Sequence, residues 1–271
     1  MTKPITKNYI KYYQGNAPII LSAPHGGELE PEHIETRTKG VFDKDDYTYE
    51  LTELIIEEFY KQTKLTPYGI IAEISRTKVD ANREKEEAYE DEGASLPYNQ
   101  FHDFIKNSRE EIDNKFSKGL YIDIHGQSHP NGYLEFGYLL DNSILKQHET
   151  SIKEHLKNSS ISSLSNFSKE CFISQLRGPN SMGSLMCSKG YDSIPSLKLP
   201  YAIDDNYFEG AYDTVEYGSL KGGNISGIQI EFPYNDVRDT KENREKSAKA
   251  FVSSLLTFTK IHLDMDLKKS N

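Results

Sequence analysis

Residues 17–28 read Ala-Pro-Ile-Ile-Leu-Ser-Ala-Pro-His-Gly-Gly-Glu. The apolar run from Ala17 to Ala23 is too short for a helix and is closed by Pro24, so it predicts a buried strand, with His25 opening the loop after it. Asp45 or Asp46 stands in N-cap position for a helix reaching about Lys61, with Leu51, Leu54, Ile55 and Phe59 as its apolar stripe. The strand, loop, helix unit then recurs. Residues 69–74 predict a strand, residues 98–116 a helix, and residues 120–124 a strand ended by His125. Residues 134–140 predict another strand, residues 142–156 and 162–176 polar helices, residues 228–232 the last strand, and residues 240–262 a closing helix. Alternation of this kind predicts one α/β domain over residues 1–271, with helices packed on a sheet.

With 36% apolar residues the chain has enough material for a sizeable core. A net charge of −10 without any basic block matches neither a phosphate backbone nor an anionic lipid surface, so no nucleic-acid or membrane partner is expected. No run of eighteen apolar residues occurs, and the lysine-dotted segment 1–14 lacks a signal-peptide core. The expectation is a cytoplasmic protein. Cys171 and Cys187, both in polar sequence, imply no stapled scaffold and read as packing residues.

Three short segments carry the chemistry. His25 and Glu28 follow a strand and are separated by two glycines, a spacing that lets the backbone turn tightly and bring both side chains to one point. His125 ends a strand, with Asp123 on the same face to orient an imidazole through its other nitrogen. Two imidazoles and a carboxylate, His25, Glu28 and His125, form a zinc ligand set that leaves a fourth position open, as in catalytic sites. The plain alternatives are a strand-to-helix turn for the glycines and a backbone-satisfied histidine at 125.

Glu231 is a charge in the apolar strand Ile228-Gln-Ile-Glu-Phe232, costly unless put to use. Beside a metal site it is the expected acid–base residue; an amphipathic edge strand is the sober alternative. Arg76, Asn82 and Arg83 form a candidate clamp, since arginine forks match carboxylates and a second arginine stabilises an oxyanion. Either arginine could instead pair with the glutamates at 84, 86 and 87. Tyr217, on a glycine-rich loop, is a candidate substrate contact, and His33 and His129 read as surface or supporting residues.

The combined pattern, His25-x-x-Glu28, Asp80-Ala-Asn82-Arg83, Asp123-x-His125 and Gln229-x-Glu231, resembles the zinc carboxypeptidase superfamily and, within it, the N-formylglutamate amidohydrolase family. The resemblance spans residues 19–238. It implies an α/β/α sandwich around a mixed sheet of about eight strands. It further implies zinc held by His25, Glu28 and His125, Glu231 as general base and acid, Asn82 and Arg83 on a substrate carboxylate, and Arg76 as the electrophilic arginine. After Glu231 the chain reads Phe-Pro-Tyr-Asn-Asp-Val-Arg238, where the family places an arginine and a tyrosine closer behind. The expected activity is cleavage of a linear carbon–nitrogen amide bond in a small acidic N-acyl amino acid. A peptidase removing carboxyl-terminal or glutamyl residues shares every catalytic residue, and a non-catalytic zinc- or ligand-binding protein is the alternative from another class.

Overall fold

The computed structural model describes residues 1–268. Eight strands form one mixed sheet: β1 (Ile5–Lys7), β2 (Ile10–Tyr13), β3 (Ile19–Ala23), β4 (Tyr68–Ala72), β5 (Gly119–Gln127), β6 (Leu134–Gly137), β7 (Ser193–Ile194) and β8 (Ile225–Pro233). Their spatial order is β1-β2-β4-β3-β5-β8-β6-β7. β4, β3, β5 and β8 run parallel at the centre, while β2 and β6 pair antiparallel on either side.

The central strands read as apolar runs because both faces are covered. Ile19, Leu21, Ile122, Ile228 and Ile230 point into one core layer with the helices Thr48–Thr63 and Lys241–His262. Ile20, Ile70 and Tyr121 point the other way, against Phe101, Ile105 and Ile112 of the helix Ser95–Phe116. β8 lies between β5 and β6, so it is not an amphipathic edge strand. Among the described residues no helix is long and apolar enough to cross a membrane. Both cysteines are free, and Cys171 is exposed rather than packed.

Several expectations shift. Segment 1–14 contributes the hairpin β1–β2, whose two-residue turn Asn8-Tyr9 has positive φ at both positions, the geometry that matches strand twist. The first long helix begins at Thr48 behind Tyr47 in left-handed conformation, and neither Asp45 nor Asp46 caps it. Segments 142–156 and 162–176 break into short helical turns rather than two continuous helices. β5 continues past Ile124, which places His125 inside the strand rather than after it.

The register decides where the polar side chains go. Ser22 of β3 lies beside Asp123 of β5, which lies beside Gln229 of β8. One step further along, His125 lies beside Glu231, which lies beside Glu135 of β6. Alternation along each strand puts all of these on the face opposite Ile122, Ile124 and Ile230, so a polar stripe crosses the carboxyl ends of the central strands. That is where open α/β sheets build their sites.

Candidate metal centre and active-site cleft

Loops at the carboxyl ends of β3 and β4 close over this stripe. The β3 loop supplies His25 and, twenty residues later, Asp45, whose backbone N–H donates to the His25 carbonyl at 3.1 Å. The β4 loop supplies Arg76, Asn82 and Arg83, with Asp80 buried behind them. With His25, Asp45, His125, Gln229 and Glu231, those three line a cleft of about 280 Å³, with Val41 and Phe208 at its rim.

His25 and His125 are buried, with ring centroids 4.8 Å apart. The Nε2 of His25 lies 2.7 Å from Asp80 Oδ1, and the Nε2 of His125 lies 2.8 Å from Asp123 Oδ2. A carboxylate accepts only, so each Nε2 carries the hydrogen and each Nδ1 presents its lone pair. Those two Nδ1 atoms face each other at 3.1 Å, and Asp45 Oδ2 stands 3.2 Å from one and 3.6 Å from the other. Three lone-pair donors converging on one point repel one another unless a cation, a proton or a metal ion, joins them. The triangle matches the ~3.4 Å donor spacing of a tetrahedral site with bonds of ~2.0–2.2 Å. His25, Asp45 and His125 therefore fit a divalent metal.

The surrounding field has the matching sign. Burial would raise the pKa of Asp45, but His125 and His25 outweigh it and hold the carboxyl well below its usual range. Burial likewise opposes ionisation of Asp80, which His25, Arg76 and Arg83 overcome. For His125 burial is outweighed by Asp123 and Asp45, which push its pKa well above the ordinary value, so positive charge is favoured at this point. The Gly126 N–H donates to Asp45 Oδ2 at 3.0 Å and fixes the carboxylate.

Glu28, the expected carboxylate ligand, is not in this group. Its side chain is 76% exposed and pairs with Lys44. The two glycines serve another purpose than the spacing suggested. A Cβ on Gly26 would lie 2.6 Å from Tyr49 N, and one on Gly27 would lie 2.4 Å from the Ile74 carbonyl oxygen. They admit the start of the helix Thr48–Thr63 and the β4 loop to close contact, which brings Asp45 in and turns Glu28 out. Asp45 was legible only as a helix cap, a local role that the structure does not give it.

Glu231 faces the cleft and accepts from Gln229 Nε2 at 3.0 Å. Burial pushes its carboxyl up to about 8; Asp45, Glu135 and Asp123 add to the shift and His125 opposes it. Arg76 is tethered by Nε to Asp80 Oδ2 at 3.0 Å and by Nη1 to the Asp43 carbonyl at 3.2 Å. Arg83 is half-buried on the cleft wall, its Nη1 donating to the Asn82 carbonyl at 2.7 Å. Among the described residues neither arginine forms an ion pair with glutamates 84, 86 or 87. Asn82 accepts from the Asp213 N–H at 2.8 Å, which fixes its side chain at the base of the cleft; its Nδ2 lies 3.1 Å from His125 Nε2, a contact between two hydrogen-bearing nitrogens and not a hydrogen bond.

Tyr217 is not a cleft residue. It is buried at the end of the short helix Tyr212–Tyr217, with its hydroxyl 2.6 Å from His102 Nδ1 and its ring edge-on to Tyr121 at 5.4 Å. Burial raises its pKa far above the phenolic value. His33 stacks loosely on Tyr9, outside the cleft. Arg238 takes a role no sequence argument suggested. This fully buried guanidinium donates to the carbonyls of Phe232 at 2.9 Å and Gln127 at 3.0 Å and to that of Asp46, tying the ends of β8 and β5 to the loop that carries Asp45.

No family model matches the chain. No curated protein matches it either. Among solved structures, the fold is similar to an N-formylglutamate amidohydrolase from Ralstonia eutropha JMP134, with a TM-score of 0.61, 12% identity, and coverage of 96% of this chain and 100% of that one. It is also similar to a gene product from Agrobacterium tumefaciens, with a TM-score of 0.51, 15% identity, and coverage of 92% and 93%. At these identities the likeness establishes an architecture: the chain has the mixed-sheet α/β/α fold of the N-formylglutamate amidohydrolase structure.

Proposed function

We propose that this single-domain chain is a zinc-dependent amidohydrolase that cleaves the linear carbon–nitrogen bond of a small acidic N-acyl amino acid, with an N-formyl compound as the first candidate. The observation that carries the reading is the convergence of two Nδ1 lone pairs and the Asp45 carboxylate, each backed by a buried partner, beside Glu231. A metal bound there would supply Lewis acidity to the scissile carbonyl and to water. His25, Asp45 and His125 would hold it, in place of the set that includes Glu28.

Glu231 takes the proton of the attacking water. A carboxyl raised toward neutrality both accepts and releases a proton near pH 7, which a group that takes a proton from water and passes it on must do. Arg83, half-exposed on the wall, presents a fork to a substrate carboxylate, and Arg76 supplies positive charge near the carbonyl oxygen. A cleft of about 280 Å³ suits a small substrate better than a peptide channel. The structural neighbour described as an N-formylglutamate amidohydrolase supports the reaction class.

The decisive experiment is metal analysis of purified protein combined with a hydrolysis screen over N-formyl, N-acetyl and γ-glutamyl amino acids. Release of free amine by the metal-loaded form alone is expected; binding of a metal with no amine released from any compound would favour a non-catalytic binder. Glu231→Gln should lower turnover by ~10²–10⁴-fold while metal stoichiometry stays at the wild-type value. His25→Ala should empty the site, and unchanged metal content in that variant would refute the ligand set.

A further inference from the structure

His129 lies in the turn between β5 and β6 and lines the same cleft as Glu231. Its ring is built in from several sides. Nδ1 sits 2.7 Å from Glu135 Oε1, the ring stacks on Phe208 at 5.0 Å with planes 15° apart, and the backbone N–H donates to Gln127 Oε1. Gln127 in turn donates to the Tyr133 carbonyl at 2.7 Å and closes the turn. Glu135 itself is 1% exposed, and its second oxygen accepts from the Phe208 N–H at 2.9 Å. Because the Glu135 carboxylate accepts the Nδ1 hydrogen, Nε2 is the ring nitrogen left without a protein partner among the described residues.

Burying a carboxylate in an apolar strand is costly, and an aliphatic residue at 135 would serve packing as well or better. Glu135 also lies directly across from Glu231 in the antiparallel β6–β8 pair, where two acids repel. An arrangement this expensive, on a turn that lines the same cleft as Glu231, is the geometry of a carboxylate–imidazole dyad with its second nitrogen free.

We propose that His129 is a catalytic residue, its Nε2 delivering the proton to the leaving amine nitrogen, and that Glu135 is the positioning residue that holds the ring. This rests on the amidohydrolase reading and assigns the acid half of it. The water oxygen bonds the carbonyl carbon as Glu231 takes one water proton. The carbon–nitrogen bond then breaks with its electron pair passing to nitrogen, which takes the Nε2 proton. Glu231 afterwards returns its proton to His129, leaving a carboxylic acid and an amine, with the protein restored.

The test compares two probes on wild-type, His129→Gln and Glu135→Gln proteins, with metal content measured in each. The amide is N-formyl- or N-acetyl-L-glutamate; the other is the aryl ester 4-acetoxy-3-nitrobenzoate, whose phenolate departs without protonation. His129→Gln should lose ~100-fold or more on the amide and less than about threefold on the ester, with wild-type metal content. Glu135→Gln should show the same amide-selective loss at a smaller scale, about tenfold. Equal losses on both probes, an undiminished amide rate, or a fall in metal content in both variants would each overturn the assignment. A wild-type protein inert toward the amide sinks the amidohydrolase reading itself, whereas an active wild type with unselective variants sinks His129 alone.

Discussion

One face of the sheet is built in two ways. Over β2, β4 and the start of β3 it is apolar, with Ile10, Ile70 and Ile20 packed under Phe101 and Ile105 of the helix Ser95–Phe116. Over the ends of β5, β8 and β6 the same face carries Asp123, His125, Gln229, Glu231 and Glu135, covered by loops and the short helix Tyr212–Tyr217 rather than by a long helix. The side of a long helix offers a smooth apolar stripe with its backbone groups already paired, and satisfies few buried charges. Irregular loops can satisfy them, because their backbone and side-chain groups approach from any direction, as Asp80 of the β4 loop does for His25 and Arg76. The first half supplies stability and the second spends some of it on chemistry.

Replacing a residue in each half tests that division. Phe101→Ala, in the apolar half, should cost about 3–5 kcal/mol of unfolding free energy in a denaturant titration while metal stoichiometry of the folded protein is unchanged. A parallel loss of metal would mean that the halves are not separable. Asp123→Asn, in the polar half, should weaken metal binding about 10–100-fold in a competition with a chromophoric chelator, with unfolding stability held or improved. It removes the buried charge that faces His125, the proposed ligand ring, while an amide oxygen can still accept from Ser22 Oγ. Glu28→Gln should change neither quantity, since that side chain is exposed and its ion pair with Lys44 is on the surface. Metal loss in this last variant would restore Glu28 to the site and displace Asp45.

How much of the site can be read from sequence differs residue by residue. His25, His125 and Glu231 announce themselves because each interrupts or closes an apolar run, and the structure gathers all three at one cleft with Arg76, Asn82 and Arg83. Glu135 carried the same signal, a lone charge in Leu-Glu-Phe-Gly, and the argument made for Glu231 applies to it unchanged. Glu28 was suggested by its spacing from His25 and Tyr217 by its glycine-rich surroundings, and both are poor guides once a loop can turn either way or fold into a helix. Asp45 and Arg238 gave no usable signal: one stood before a helix and the other lay beyond a strand, and neither position is unusual.

The sequence by itself determined five strands, β3, β4, β5, β6 and β8, and the long helices between and after them, because hydrophobic period and length are properties of contiguous residues and survive without knowing what packs against them; the hairpin β1–β2 and the short β7 carry too little of either. Only the tertiary structure decided which acid completes the cluster. That choice is made by two close backbone approaches at Gly26 and Gly27 and by a buried arginine joining three chain segments, contacts between residues far apart in the chain, which no local pattern encodes.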